Sequence, residues 1–108
     1  MRITYRQAAR DDVVRQFRYY LLTKNLPEIA VRFRDGVSRT MDVLRRQPLI
    51  GARYPVANPE LESLRSFPVV GFEVIRMYYL LEGETIHVIR VLHGKRDVQR
   101  ILGREESS

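Results

Sequence analysis

The chain has 108 residues, 44% hydrophobic and 30% charged, the balance of one globular domain; it is too short for a (β/α)₈ barrel or for a dinucleotide fold with a separate substrate domain. No apolar run approaches the roughly 20 residues that span a bilayer and the N-terminus carries no signal-like apolar stretch, so no membrane association is expected. Zero cysteines exclude disulfides, thiolate zinc sites and a cysteine nucleophile, while 19 Lys and Arg against 13 Asp and Glu leave a formal charge of +6 that favours acidic partners.

Residues 2–6 alternate, with Ile3 and Tyr5 on one side, which predicts a short strand. Val13, Phe17, Tyr20, Leu21 and Lys24 then follow helical spacing. Ala8, Ala9 and Val14 lie on or beside the same stripe, so a helix is expected over 8–24. Asp11 and Asp12 fall in its early part, where the helix dipole favours acids. Asn25-Leu26-Pro27 breaks the pattern, and Pro27 suits the first turn of a second helix. There Ala30, Phe33, Val37, Met41 and Leu44 step by three or four, and the helix ends by Gln47, before Pro48. Two amphipathic helices so closely joined form a helical hairpin.

Pro48, Gly51, Pro55 and Pro59 predict an ordered loop, long enough to suggest a functional role. The period then changes to two, with strands over 63–69, 72–81 and 85–92 and turns at Val70-Gly71 and Glu82-Gly83. In the middle strand Ile75, Met77, Tyr79 and Leu81 share one face, and Phe72, Val74, Arg76, Tyr78 and Leu80 the other. Both faces are largely apolar, so this strand is central. The hairpin can cover only one face, and the second is expected to stand open as a partner surface. Asp97 is placed to cap a short closing helix carrying Val98, Ile101 and Leu102. The fold class is therefore α+β: an N-terminal strand and helical hairpin packed on a small, mainly antiparallel sheet, with a short C-terminal helix. Residues 1–108 form one domain, with an ordered core over 1–103 and a polar tail over 104–108 expected to fray.

Of the 19 cations, 17 are arginines, whose planar forks suit carboxylate and phosphate; a GC-rich genome produces the same bias. His87 and His93 are the only imidazoles, and no carboxylate pair stands at ligand spacing near them, so no metal is expected. The six glycines are scattered, no phosphate loop or nucleophile elbow exists, and no cofactor is expected. Metal-free RNA cleavage survives this screen, because it needs only a base, an acid and cations on the phosphate. Arg65, Arg76, Tyr78, His93, Lys95 and Arg96 could converge on one sheet face for it, with Glu60 or Glu62 supplying a carboxylate. The structural alternative pairs Arg65 and Arg76 with Glu73 or Asp97 and buries Tyr78.

Four segments carry a family likeness: Arg46-Gln47-Pro48-Leu49-Ile50-Gly51, Leu64-Arg65-Ser66-Phe67-Pro68-Val69, Ile75-Arg76-Met77-Tyr78-Tyr79, and Ile89-Arg90-Val91-Leu92-His93-Gly94-Lys95-Arg96-Asp97 running into Ile101-Leu102. In this order they resemble the RelE/ParE toxin superfamily over about residues 2–102, and the closing segment resembles the ParE branch. The resemblance implies a cytoplasmic, growth-inhibiting toxin of a type II toxin–antitoxin pair. ParE-like members inhibit DNA gyrase by binding, without catalysis. A ParD-like antitoxin wraps its C-terminal segment around the toxin's helices and sheet, giving a hetero-oligomer. RelE-like members are ribosome-dependent mRNA interferases. Under that alternative Arg65, Arg76, His93, Lys95 and Arg96 would carry the chemistry. Lys95 is the only lysine near the sheet, and arginine is a poor base, which favours the ParE-like reading. The antitoxin segment is expected to be acidic and amphipathic, meeting Phe17, Tyr20, Phe33, Arg65, Phe72, Val74, Arg76, Tyr78, Leu80 and Arg90.

Overall fold

The computed structural model describes residues 1–104, so the expected fraying of the tail lies, from residue 105 on, outside the described residues. Strand β1 (Arg2–Tyr5) leads into helix α1 (Gln7–Arg18), whose C-terminal end widens into a π-helical turn over Tyr19–Thr23. The widening is seen where the Lys24 N–H reaches back five residues to the Tyr19 carbonyl at 2.9 Å. Asn25 then adopts φ 53°, a left-handed conformation that asparagine tolerates, and Pro27 opens helix α2 (Pro27–Arg46) at its first turn. The break expected at Asn25-Leu26-Pro27 is therefore present, with these two backbone preferences as its cause.

After α2 come strand β2 (Ala52–Arg53), a 3₁₀ turn at Pro59–Leu61, strands β3 (Arg65–Val69), β4 (Phe72–Glu82) and β5 (Thr85–His93), and helix α3 (Val98–Gly103). The sheet order is β1-β5-β4-β3-β2, with β1 parallel to β5 and the other pairs antiparallel. The fold is α+β as the sequence implies, and β4 lies at the centre of the sheet. Asp97 caps α3 by accepting from the Arg100 N–H at 3.3 Å. Strand β2 has no periodic signature, because its two exposed residues owe their extended form to pairing with β3 and not to a pattern of their own.

One core layer lies between the helical hairpin and the sheet. Ala9, Phe33, Val37 and Leu44 pack on Ile75, Met77, Tyr79, Ile86, Val88 and Val91. Tyr20, Phe33 and Phe72 close one end of it as a ring triad, with centroids 5.8, 5.7 and 5.5 Å apart. Helix α2 comes so near the β3–β4 turn that a Cβ on Gly36 would stand 2.4 Å from the Val70 carbonyl oxygen. Thr40, fully buried, bridges the two: its hydroxyl donates to the Gly36 carbonyl at 2.7 Å and accepts from the Val70 N–H at 2.9 Å.

The second sheet face is not open, which corrects the expectation of an uncovered apolar surface there. Leu61 and Leu64 from the long loop, and Val98 and Leu102 from α3, join Tyr78, Leu80, Ile89 and Leu92 in a second buried cluster. The Asn58 side-chain amide donates to the Leu102 carbonyl at 3.2 Å and that of Gln99 to the Pro55 carbonyl at 3.1 Å, tying loop to helix. The loop and the closing helix supply this cover with apolar residues too few and too irregularly spaced to show a strong period. Two register shifts further redistribute side chains. One between Pro68 and Val69 sets Phe72 opposite Val69, and Phe72 joins the helix-side core, not the face it was expected to share with Val74. The other, at Tyr78/Tyr79, leaves Ile89 as an extra residue in β5, so Ile86, Val88 and Val91 serve the first core while Ile89 and Leu92 serve the second.

Candidate functional site

The six residues that could have formed a nuclease centre do not share a face. Directly opposed residues on antiparallel strands project to the same side. Arg65 opposes Tyr79 and His93 opposes Ile75, both on the helix side; Arg76 opposes Leu92, on the α3 side. Lys95 and Arg96 lie in the exposed turn after β5. The His93 Nδ1 accepts the Lys95 N–H at 3.1 Å. Tyr78 is buried, and that burial, reinforced by Tyr54 and only partly opposed by Arg76, pushes its hydroxyl up to about 12, so it stays protonated and cannot serve as a base. Glu60 and Glu62 are exposed beside the 3₁₀ turn. Among the described residues, no group of three or more His, Asp or Glu side chains is arranged to hold a metal, and no helix is long and apolar enough to cross a membrane.

The arginines expected at a partner surface have internal roles. Arg65 Nη1 donates to the Gly51 carbonyl at 2.7 Å and to that of Leu49 at 3.2 Å. The Tyr79 hydroxyl acts on the same loop, donating to the Pro48 carbonyl at 2.7 Å and accepting the Gly51 N–H at 3.0 Å. Burial raises the Tyr79 pKa, with the Gly51 hydrogen bond and Arg65 pulling the other way. A Cβ on Gly51 would stand 2.6 Å from the Tyr79 hydroxyl oxygen, so only glycine lets the loop close on it. Arg76 donates to Ser66 Oγ through Nε at 3.2 Å and Nη2 at 3.1 Å, so neither Arg65 nor Arg76 makes the expected pairing with Glu73 or Asp97. Arg90 forms a two-pronged bond to Asp12, Nε to Oδ2 at 2.7 Å and Nη2 to Oδ1 at 2.9 Å, and Oδ2 also accepts the Val91 N–H at 2.9 Å. Asp12 is thus the tie between α1 and β5. It lies beyond the first turn of α1, so the dipole role expected from sequence is not its main one.

The apolar candidates fare similarly. Phe33, Tyr78 and Leu80 are buried, and no partner can touch them in this fold. Phe17, Tyr20 and Phe72 are partly buried and packed on the first core. Of these candidates only Val74, 56% exposed, stands mostly in solvent. For Phe33, Tyr78 and Leu80 the reason is the same: each is an apolar residue on a stripe or strand face that the chain itself covers.

A different surface is left open. Along the solvent side of α1 and its π-helical end, Val14 is 48%, Tyr19 41% and Leu22 71% exposed, and Leu26 in the hairpin loop is 40% exposed. Asp11, Arg15, Arg18 and Thr23 complete a shallow groove of about 490 Å³ along the same stretch. Lys24 sits 5.8 Å over the Tyr19 ring, adding a cation beside the apolar strip. The sequence held a signal for this strip: Val14 and Leu22 are eight residues apart, on a line offset from Val13, Phe17 and Tyr20. Grouping Val14 with the core stripe hid it.

A family model described as the ParE toxin of the type II toxin–antitoxin system parDE matches residues 3–98. No curated protein sequence matches significantly. A solved chain described as the chromosomal ParDE TA system from P. aeruginosa is similar in fold, with a TM-score of 0.65 at 18% identity, covering 86% of this chain and 95% of that one. An α+β fold of this strand and helix order, with a family match running from β1 to the start of α3, leads to one conclusion: the chain belongs to the ParE toxin family of type II parDE toxin–antitoxin systems.

Proposed function

We propose that this chain inhibits DNA gyrase by binding it, and that a ParD-like antitoxin holds it inactive in a hetero-oligomer through an acidic amphipathic segment docked along the outer stripe of α1. The observation that carries the antitoxin half is that stripe itself. Val14, Tyr19 and Leu22 present apolar area that the described residues leave partly exposed, flanked by Arg15 and Arg18. An acidic amphipathic segment matches it in both respects: its apolar residues gain by leaving water, and its carboxylates meet arginine forks. With a formal charge of +6, the toxin also attracts such a segment from a distance, which speeds encounter.

The gyrase half rests on the family and on the division of the candidate nuclease groups, of which Arg76, Tyr78 and Arg96 border one concavity while Arg65 and His93 face the helix side. Arg76 and His93 project to opposite sides of the sheet, which favours inhibition by binding over RNA cleavage. Both proposed partners place the protein in the cytoplasm. The test is to add purified toxin to gyrase and plasmid DNA. The reading requires loss of supercoiling with accumulation of cleaved DNA, reversed by the antitoxin. Unchanged gyrase activity together with cleaved mRNA in a translation extract would replace it with the interferase reading.

A further inference from the structure

We infer that the arginines gathered around α3 form a binding track for the sugar–phosphate backbone of duplex DNA, independent of any protein partner. Two concavities meet there. One, of about 330 Å³, is bordered by Tyr54, Arg76, Arg96 and Asp97. The other, of about 240 Å³, is lined by Arg90, Arg96, Arg100, Ile101 and Arg104. Arg96 borders both, so they form one continuous basic surface.

The charge on this surface is largely available. Among the described residues, Asp97 is the only carboxylate lining either concavity. It pairs with Arg100 at 3.0 Å, but both side chains are about 60% exposed, at 59% and 61%, and an ion pair so open to water is weak and readily exchanged. Arg90 is committed to Asp12 and adds little. Arg96, Arg100 and Arg104 remain as exposed cations, with Arg100 and Arg104 separated by one helical turn, about 6 Å along the axis.

The same geometry selects among anionic ligands. Single-stranded nucleic acid is held by exposed rings on which bases stack. Here the Tyr78 ring is buried, and Tyr54 is half-buried and packed edge-on against it at 5.1 Å. An acidic protein segment gains from apolar anchors, and this surface offers only the half-buried Ile101 between its arginines. Arginine forks without stacking rings or apolar anchors suit phosphates whose bases stay paired.

The inference stands apart from the gyrase reading, since the measurement contains no topoisomerase. The purified toxin is titrated into a labelled duplex, into a single strand of the same length, and into a polyglutamate peptide, between 50 and 200 mM salt. Three phosphates neutralised give a slope of log affinity on log salt near −2.7, which is about a 40-fold loss over that range. The Arg96→Gln, Arg100→Gln double variant leaves one phosphate contact, and its loss falls to about 3- to 4-fold. Arg34→Gln with Arg46→Gln, exposed on α2, removes the same charge elsewhere and is expected to keep the wild-type slope. Circular dichroism confirms that each variant is folded. Equal effects of the two double variants would reduce the binding to net charge and overturn the assignment. Tighter binding of the single strand or of polyglutamate than of the duplex would overturn it too.

Discussion

Replacing Asp12 by Ala tests directly how α1 is fastened to β5. The carboxylate accepts two bonds from Arg90 and one from the Val91 N–H, and its side chain is 2% exposed against 14% for that of Arg90. Removal takes from a mostly buried guanidinium the carboxylate to which it donates twice, and from the Val91 N–H the oxygen that accepts it. Breaking one side of a buried pair costs about 3–5 kcal/mol, a large part of the roughly 5–15 kcal/mol that stabilises a small domain. The exposed Arg15, 3.3 Å from the same carboxylate, adds little. Urea unfolding followed by circular dichroism is expected to show a loss of that size, and thermal unfolding a fall on the order of 20 °C. The double replacement Asp12→Leu, Arg90→Met removes both charges and is expected to recover much of the loss, because a desolvated ion pair and a packed apolar pair differ little in net worth. A loss below about 1 kcal/mol for Asp12→Ala would refute the claim that this contact fastens α1 to β5.

Other expectations follow from the same contacts. Thr40→Val keeps the shape but strands the Val70 N–H, with an expected cost of about 1–3 kcal/mol in urea unfolding, whereas Thr40→Ser retains the bridge. Gly36→Ala drives a Cβ into the Val70 carbonyl and is expected to lose more than about 1 kcal/mol, while Gly103→Ala, whose added Cβ meets nothing within 4 Å, is expected to be near neutral. Burial raises Tyr5 and Tyr78 to about 12, so the folded chain keeps protons that the unfolded chain releases near its usual value of about 10. Stability should therefore hold below that value and fall as pH climbs from about 10 towards 12, by up to about 1.4 kcal/mol per pH unit for each tyrosine. Tyr5→Phe with Tyr78→Phe should flatten that fall, and Tyr5→Phe alone should not destabilise at neutral pH, because the buried Tyr5 hydroxyl has no hydrogen-bond partner among the described residues.

The elements themselves were legible wherever a local rule applied. The helical stripe through Phe33, Val37 and Leu44, the Pro27 start, the alternation in β4 and the Asp97 cap each depend on neighbours a few residues away. Features that depend on distant residues were not legible. Asp12 and Arg90 are 78 positions apart, and nothing near either marks them as a pair. The cover over Tyr78 and Leu80 comes from a loop whose prolines announced order but not where it would lie. The bulge at Ile89 moves Val91 across the sheet, which strict alternation does not anticipate. Site residues were lost for the same reason: arginines read as free for a partner or a phosphate proved to hold loop carbonyls, Ser66 and Asp12.

Two exposed positions distinguish an antitoxin docked on α1 from one docked on the sheet. Leu22 lies on the outer stripe of α1, 71% exposed, and Val74 on β4, 56% exposed, so neither substitution disturbs a core. The affinity of the cognate antitoxin should be measured for Leu22→Asp and Val74→Asp. Leu22→Asp is expected to weaken binding by about 30-fold or more, the loss of a buried anchor compounded by repulsion from an acidic segment, and Val74→Asp to change it by less than about 3-fold. The opposite ranking would return the antitoxin to the sheet and contradict the account.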